Sequence, residues 1–376
     1  MLKLIQHCRI ISPDFELADG CILIKNDRIV EVGPQLHAAH AEVFDAAGLT
    51  AMPGFIDVHC HGRDNCDFCD ASPAAVNTIG RGKLLEGVTS VLPTTLTLPR
   101  QELADTLRTI AGYDQSGCKM PGVHLEGPYI NAQCCGAQNP AFVRPPDLDE
   151  VKALAQIYPV LKTSFAVETP GGIDFVRQLR ENNITPSCVH SNASFDIFEQ
   201  AFAQGLRNLS HFCNQMTPLH HRDIGLVGAG LLKDEVFLEL ICDTLHVSPP
   251  MIELIFKVKG CAKIELISDA MRAAGMPDGD YTLGGLEVAV KGGAARLKDN
   301  GALAGSTLQI NRALQNVAAI TKLPLTELVK TTALNQARSL NLANLGKLEP
   351  GYLADIVLLN KHFDVCAVWV DGVKKL

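Results

Sequence analysis

No apolar run in this sequence approaches the roughly 20 residues that a helix needs to cross a bilayer. There is no basic tract either, and 41 acidic residues against 33 basic ones give a formal net charge of -8. A mildly acidic chain of this kind argues against nucleic acid and anionic membranes as main partners. The composition still allows a local basic pocket for a phosphorylated small molecule.

Two further absences concern cofactors and redox chemistry. The Gly-Arg-Gly-Lys segment at 80–83 has neither dinucleotide-loop nor P-loop spacing. The 13 cysteines are odd in number and lack the spacing of a small disulfide framework, and Cys66-x-x-Cys69 has no second pair to complete a zinc finger. Reduced thiols, together with a start that resembles a strand rather than a signal peptide, predict a cytoplasmic protein.

The order of strand and helix patterns predicts two structural units. Short strand-like runs separated by turn residues occupy both ends of the chain, for example 20–25 and 355–359. We therefore expect residues 1–50 and 336–376 to form one small β domain. The middle, 51–335, alternates strand and helix patterns and predicts a (β/α)8 barrel, with a doubly wound sheet as the alternative.

Side chains of the type that bind metals fall where short apolar runs end. The run at 55–61 leads into His-x-His, and alternate side chains on a strand share a face, so His59 and His61 point the same way. Four other apolar runs end in a histidine or a carboxylate, at Glu126, His190, His211 and Asp269. In a barrel these strand ends converge at the carboxyl-terminal face. Imidazoles and carboxylates suit zinc or iron.

These six residues predict a metal-dependent hydrolase. A single histidine at a strand end is more often an ordinary buried polar residue, and it is the set of six that favours a metal site. A bound ion of this kind lowers the pKa of its water to about 7 and polarises a carbonyl group. A neighbouring carboxylate can pass the water proton to the leaving amine, and Asp269 is our candidate for this role.

The same segments resemble the amidohydrolase superfamily and, within it, the N-acetylglucosamine-6-phosphate deacetylases. The resemblance covers nearly the full length and rests on seven segments, at 53–62, 124–128, 190–193, 211–216, 218–222, 269–270 and 301–306. The first, Pro-Gly-Phe-Ile-Asp-Val-His-Cys-His-Gly, marks the superfamily. The Glu-Gly-Pro of 126–128 and the His-His-Arg of 220–222 are more specific to the deacetylases.

The resemblance implies a TIM-type (β/α)8 barrel with a small β-sandwich from both chain ends, usually in a homodimer. It implies an enzyme of amino sugar metabolism that hydrolyses N-acetylglucosamine 6-phosphate to glucosamine 6-phosphate and acetate. Glu126, His190 and His211 would be the core metal ligands, with Asp269 as general acid/base. His59 and His61 give the capacity for a second ion, so one or two zinc or iron ions per subunit are expected.

The resemblance also implies the substrate contacts. The sugar phosphate would be bound by four side chains, Asn214, Gln215, Arg222 and His246. The resemblance implies that Arg222 reaches in from the neighbouring protomer, and its forked cationic group suits a phosphate. Three further residues would line the acetyl-sugar pocket, Leu303, Ala304 and Gly305. Ala137 and Gln138 belong to a loop that faces the substrate.

Three positions depart from the family pattern. Gln138 stands where the family often has a histidine, Gln215 replaces a common alanine, and Thr244 replaces a common glycine. They leave N-acetylgalactosamine 6-phosphate, or another acylated amino sugar, open as the substrate. Among other amidohydrolases, a dihydroorotase-like or dipeptidase-like amidase would need a bridging lysine at the end of the fourth strand, whereas Lys162 starts its run. Retention of every ligand argues against a catalytically inactive protein of the same fold.

Overall fold

Strands from both ends of the chain form one sheet. The computed structural model describes residues 1–376, and its elements are numbered in chain order. This terminal sheet contains β1 (Leu2–Ser12), β2 (Phe15–Lys25), β3 (Arg28–Gly33), β4 (Glu42–Asp45), β5 (Thr50–Pro53), β19 (Ile356–Leu359), β20 (Val365–Val370) and β21 (Val373–Lys374). β5 pairs with β19, which joins the two chain ends. A separate cluster of 14 buried apolar residues lies in this sheet, so the predicted β domain from both termini is confirmed.

Eight parallel strands form the second sheet, and they are adjacent in chain order without reversal. They are β6 (Phe55–Cys60), β9 (Val88–Thr95), β10 (Val123–Glu126), β11 (Val160–Phe165), β12 (Thr185–Cys188), β13 (Asn208–Leu209), β14 (Phe237–Leu240) and β15 (Ile264–Leu266). The first strand meets the segment after the last one, where the Asp269 N–H donates to the His59 carbonyl at 2.8 Å. A doubly wound sheet would reverse its strand order, so the predicted barrel is confirmed.

Helices alternate with these strands and bury one face against them. They are α1 (Pro73–Leu84), α2 (Arg100–Ala111), α3 (Leu148–Ala155), α4 (Gly172–Glu181), α5 (Phe195–Ala203), α6 (Gly225–Leu232), α7 (Pro249–Lys259), α8 (Ile310–Thr321), α9 (Leu325–Leu328) and α10 (Leu334–Ser339). In α2, Leu103, Leu107 and Ile110 are fully buried at helical spacing. α1 begins at Pro73 because the Ser72 hydroxyl accepts from a free N–H of the first turn. None of the helices combines the length and apolar character needed to span a membrane.

Two small antiparallel sheets are inserted in the barrel and were not predicted. β7 (Gly62–Arg63) pairs with β8 (Cys66–Asp67) directly after the His-x-His segment. A three-stranded sheet of β16 (Gly279–Leu283), β17 (Leu286–Lys291) and β18 (Ala294–Leu297) lies between β15 and α8. This second insertion contributes side chains to the cavity described below.

Candidate metal centre and active site

The six ligand-type residues predicted at strand ends lie close together at one end of the barrel. They form two groups, His59–His61–Asp269 and Glu126–His190–His211, and within each group the ligand atoms lie within 4.8 Å of one another. All six side chains are buried. The convergence follows from the fold, because the carboxyl ends of parallel barrel strands meet at the same mouth.

The backbone turns sharply at three of these residues. His190, His211 and Asp269 have φ angles of 44°, 31° and 47°. Residues other than glycine seldom adopt this left-handed region, and such strain is concentrated at functional sites. Each of the three follows shortly after the end of a strand, and the turn brings its side chain into the cluster.

All four imidazoles of the cluster have an oxygen acceptor at Nδ1. The pairs are His59 with Glu239 Oε2 at 2.9 Å, His61 with the Thr94 carbonyl at 3.2 Å, His190 with the Cys134 carbonyl at 2.7 Å and His211 with the Asn214 carbonyl at 3.2 Å. An oxygen acceptor assigns the ring hydrogen to Nδ1 in the neutral imidazole. Four Nε2 lone pairs are therefore free to face the interior of the cluster.

This arrangement of lone pairs fits a bound cation. The Nε2 atoms of His190 and His211 lie 3.2 Å apart, and Nε2 of His59 is buried without a hydrogen-bond partner. Glu126 Oε1 lies between the groups, 3.1 Å from His211 Nε2 and 3.3 Å from His59 Nε2. Converging lone pairs repel one another unless a positive charge lies between them, and imidazole with carboxylate is a donor set for zinc or iron.

The carboxylates of the cluster are in the form that binds metal. Burial alone would raise the pKa of Glu126, but His59, His190 and His211 hold it well below its usual range. Burial alone would also raise the pKa of Asp269, but the neighbouring His59 and His61 bring it below its usual value. Both carboxylates are therefore ionised at neutral pH when these imidazoles carry the positive charge, and a bound cation would favour the same ionised form in their place.

His124 does not belong to the ligand set, although it shares β10 with Glu126. Its Nδ1 lies 3.1 Å from the Val58 carbonyl and its Nε2 lies 2.5 Å from Ser164 Oγ, so both ring nitrogens are already engaged. Burial holds its pKa well below the usual range, with the charge on Lys162 acting in the same direction. This geometry gives His124 a core position below the ligands.

The ligand cluster opens onto a cavity of about 340 Å³. Five of the six ligand-type residues line it, and His59 lies beneath them, fully buried. The predicted substrate contacts that line the same cavity are Ala137, Gln138, Asn214, Gln215, His246, Leu303 and Gly305. A small polar substrate in this cavity would therefore contact the ligand cluster directly.

Comparison with known proteins shows the family. Residues 293–374 match the amidohydrolase family model. The chain is 37% identical to the N-acetylglucosamine-6-phosphate deacetylase of Lysinibacillus sphaericus over 347 residues, which cover 91% of this chain and 89% of that protein. It is 39% identical to the N-acetylgalactosamine-6-phosphate deacetylase of Escherichia coli O157:H7, with 99% of both chains covered.

The chain belongs to the N-acetylglucosamine-6-phosphate deacetylase family. The predicted amidohydrolase membership and hydrolase class are confirmed, and the superfamily is metal-dependent. The deacetylase from Thermotoga maritima has a TM-score of 0.90 at 35% identity, with 99% of both chains covered. A mutant deacetylase from Mycobacterium smegmatis, in complex with N-acetyl-D-glucosamine-6-phosphate, has a TM-score of 0.94 at 29% identity, covering 100% of this chain and 99% of that one.

Gln138, which departs from the deacetylase pattern, contacts a metal-ligand candidate. Its Nε2 donates to Glu126 Oε2 at 2.5 Å, and its Oε1 accepts from the Thr97 N–H at 2.7 Å. The Thr97 N–H fixes which end of the amide faces the carboxylate, because only the oxygen can accept. In this chain Gln138 therefore orients Glu126 in addition to facing the cavity.

Thr244, a second departure, lies in the loop that holds His246. Thr244 has a φ of 68°, a region that β-branched residues rarely adopt. Asp243 stabilises the turn, since its carboxylate accepts from the N–H groups of Leu245 and His246 and lies 2.6 Å from His246 Nδ1. The threonine thus occupies the left-handed conformation that glycine would adopt freely.

Two predicted substrate residues do not line the cavity of this chain. Ala304 is fully buried behind it. Arg222 is exposed, and its Nη1 lies 2.8 Å from His221 Nε2. A role for Arg222 in a neighbouring protomer's cavity, as the family resemblance implies, stays a prediction.

The structure adds residues that the sequence pattern did not indicate. Leu96, Leu283 and Arg296 also line the cavity, and Arg296 is the only lysine or arginine among the lining residues. Arg296 lies in β18 of the inserted sheet, where no motif marks it. Glu239, the acceptor beneath His59, could have been singled out from the sequence, because it is a charged residue inside the apolar run of β14.

Proposed function

We propose that this chain is a deacetylase of amino-sugar 6-phosphates and that its substrate is N-acetylglucosamine 6-phosphate, which it hydrolyses to glucosamine 6-phosphate and acetate. The observation that carries the proposal is the convergence of four imidazole Nε2 atoms and two carboxylates beneath one cavity of about 340 Å³. The 37% identity to a deacetylase with that named substrate, over 91% of this chain, supports the same choice.

Each of the two ligand groups would hold one divalent ion, zinc or iron, which gives two ions per subunit. A bound ion of this kind would polarise the acetyl carbonyl and lower the pKa of a water molecule. Glu126 lies between the two groups, since Oε1 lies 3.1 Å from His211 Nε2 and 3.3 Å from His59 Nε2, while Oε2 lies 3.3 Å from His61 Nε2. Its carboxylate is therefore the ligand best placed to serve both ions.

Asp269 would transfer the proton in this reaction. Its Oδ1 lies 3.2 Å from His61 Nε2, and the side chain lines the cavity while only 8% of the residue is exposed. A carboxylate at the edge of the ligand cluster can accept a proton from the attacking water and donate it to the amine of the leaving sugar.

The phosphate would be bound at the cavity rim. Arg296 is the one cationic lysine or arginine side chain in the lining, and its Nη1 donates to the Gly301 carbonyl at 2.8 Å, which holds the guanidinium in place. The remaining guanidinium donors suit phosphate oxygens. We propose that Arg296 acts with His246, Asn214 and Gln215 of the same chain.

The proposal extends to assembly and location. A homodimer would allow Arg222, which is exposed and outside the cavity of its own chain, to reach the phosphate in the partner's cavity. A cytoplasmic location is supported by the 13 cysteines, none of which is paired in a disulfide.

A second substrate, N-acetylgalactosamine 6-phosphate, is favoured by one specific comparison. The deacetylase of that name from Escherichia coli O157:H7 is 39% identical over 99% of both chains. The two sugars differ only in the configuration of the C4 hydroxyl group. The longer amide of Gln215, which lines the cavity, is a difference from the common family pattern that could recognise such a change.

Acetate release tests both candidates. We would compare N-acetylglucosamine 6-phosphate, N-acetylgalactosamine 6-phosphate and their unphosphorylated analogues at equal metal loading. We expect release from the phosphorylated sugars, with the higher kcat/KM for the glucosamine derivative. Equal rates of acetate release from the phosphorylated and unphosphorylated sugars, or no release from any of the four compounds, would contradict the proposal. A higher kcat/KM for the galactosamine derivative would select the second candidate.

A further inference from the structure

A short series of charged side chains runs through the barrel interior beneath the ligand cluster. His59 Nδ1 lies 2.9 Å from Glu239 Oε2, and the other oxygen of Glu239 forms an ion pair with the Lys162 ammonium group. The three residues belong to β6, β14 and β11, and each is at most 1% exposed. The ion pair is therefore enclosed in the barrel core with one contact to the metal centre.

His59 differs in this respect from the other three ligand histidines. The Nδ1 atoms of His61, His190 and His211 face main-chain carbonyls, which the fold supplies without any charge. Of the four Nδ1 atoms, only that of His59 faces a carboxylate. A carboxylate behind a ligand imidazole fixes the ring orientation and increases the basicity of the ligand nitrogen.

The structure also shows why Lys162 accompanies Glu239. An unpaired carboxylate in a barrel core would lose several kcal/mol of hydration free energy, and an adjacent ammonium group offsets much of that loss. Two apolar side chains of similar size would fill the same volume at no electrostatic cost. The buried pair therefore calls for an explanation beyond packing, and its direct link to the ligand cluster is the contact between Glu239 and His59 Nδ1.

We infer that Glu239, held by Lys162, is a positioning residue that keeps Nδ1 of His59 protonated and Nε2 directed into the His59–His61–Asp269 group. It thereby determines how tightly that group retains its ion. The inference rests on the proposed two-ion centre. It does not depend on which amino sugar is hydrolysed, or on hydrolysis at all.

The chain offers a matched control in Glu265. This residue of β15 is also fully buried in the barrel, and the charge of Lys162 acts on it as well. Neither of its carboxylate oxygens has a hydrogen-bond partner, and it does not contact a ligand histidine. Replacing Glu265 by Gln changes the charge of the interior as Glu239→Gln does, but leaves the contact to His59 intact.

The test is zinc affinity, measured by chelator competition and by metal analysis on wild type, Glu239→Gln and Glu265→Gln. We expect two zinc equivalents per subunit in the wild type. In Glu239→Gln one equivalent should bind as in wild type, and the other should bind about 10–100-fold more weakly. Glu265→Gln should retain both. Cobalt-substituted Glu239→Gln should also show altered visible absorption for the weakened ion, which reports its coordination.

Three results would overturn the inference: unchanged affinity for both ions in Glu239→Gln, an equal loss in Glu265→Gln, or a wild type that binds only one equivalent. If Glu239→Gln fails to fold, the double variant Lys162→Met with Glu239→Gln removes both charges at similar volume. It should show the same selective loss, and two tightly bound ions in that variant would refute the role. Acetate release by the wild type is recorded separately, so that failure of the proposed reaction does not alter the metal result.

Discussion

Replacing Lys83 by methionine should destabilise the protein by disrupting a buried network beside the His-x-His strand. The Lys83 ammonium group of α1 is fully buried, 2.9 Å from Asp57 Oδ2 and 2.6 Å from Glu86 Oε2. Asp57 in turn accepts from the Ser268 hydroxyl at 2.5 Å. Lys83 therefore neutralises a carboxylate that ties β6 to the segment that carries Asp269.

The loss of stability in Lys83→Met depends on which hydrogen bonds and ion pairs Asp57 and Glu86 retain. Removing one member of a buried ion pair costs about 3–5 kcal/mol, because the remaining charge has lost its compensation. Glu86 keeps the Arg63 guanidinium at 2.5 Å, and Asp57 keeps its bonds from Ser268. We therefore expect the lower end of that range, about 3 kcal/mol. At average unfolding entropy per residue, this corresponds to a decrease in Tm of about 4 °C.

Thermal unfolding of Lys83→Met and Lys257→Met, followed at equal metal content, measures this difference. Lys257 makes the same kind of pair with Glu253 at the surface, where its side chain is 71% exposed. Loss of such a surface pair should change stability by less than about 0.5 kcal/mol. If the two variants unfold at the same temperature, the buried network stabilises the barrel no more than a surface pair does, and the reasoning is wrong.

Three further predictions concern the reaction. Asp269→Asn should lower kcat by about 10²–10⁴-fold while zinc stays bound to the Glu126–His190–His211 group, and wild-type turnover in this variant would exclude Asp269 from proton transfer. Arg296→Ala should raise KM for the phosphorylated sugar by about 10-fold or more, as expected for loss of a charge-assisted hydrogen bond, with little change for the unphosphorylated analogue; parallel changes would place Arg296 outside the phosphate site. Removal of metal by a chelator should abolish acetate release and added zinc or iron should restore it, so full activity in metal-free protein would contradict the centre described here.

The ligand residues could be predicted because two regularities combine. A strand places alternate side chains on one face, and a barrel brings all strand ends to one mouth, so polar residues that close apolar runs must meet. This reasoning predicts that six residues meet: His59, His61, Glu126, His190, His211 and Asp269. The strands themselves end two or three residues earlier, because His190, His211 and Asp269 lie just beyond them in left-handed turns.

Contacts that depend on inserted segments could not be predicted. Arg296 reaches the cavity from the sheet of β16, β17 and β18. This sheet does not follow the strand–helix alternation of the barrel, and its sequence contains no recognisable motif. Gln138 was considered only as a group facing the substrate. Its bond to Glu126 Oε2 depends on the Thr97 N–H, which comes from a different loop and fixes which end of the Gln138 amide faces the carboxylate.

The sequence by itself determined the barrel, the β domain from both termini and the convergence of six ligand-type residues, because these follow from the local periodicity of apolar and polar residues. Only the tertiary structure decided the protonated nitrogen of each ligand histidine, the enclosure of the pair Glu239 and Lys162 beneath His59, and the cationic residue in the cavity. These features depend on side chains that are far apart in the chain and meet only when the barrel closes. Periodicity along a single strand has no information about such distances.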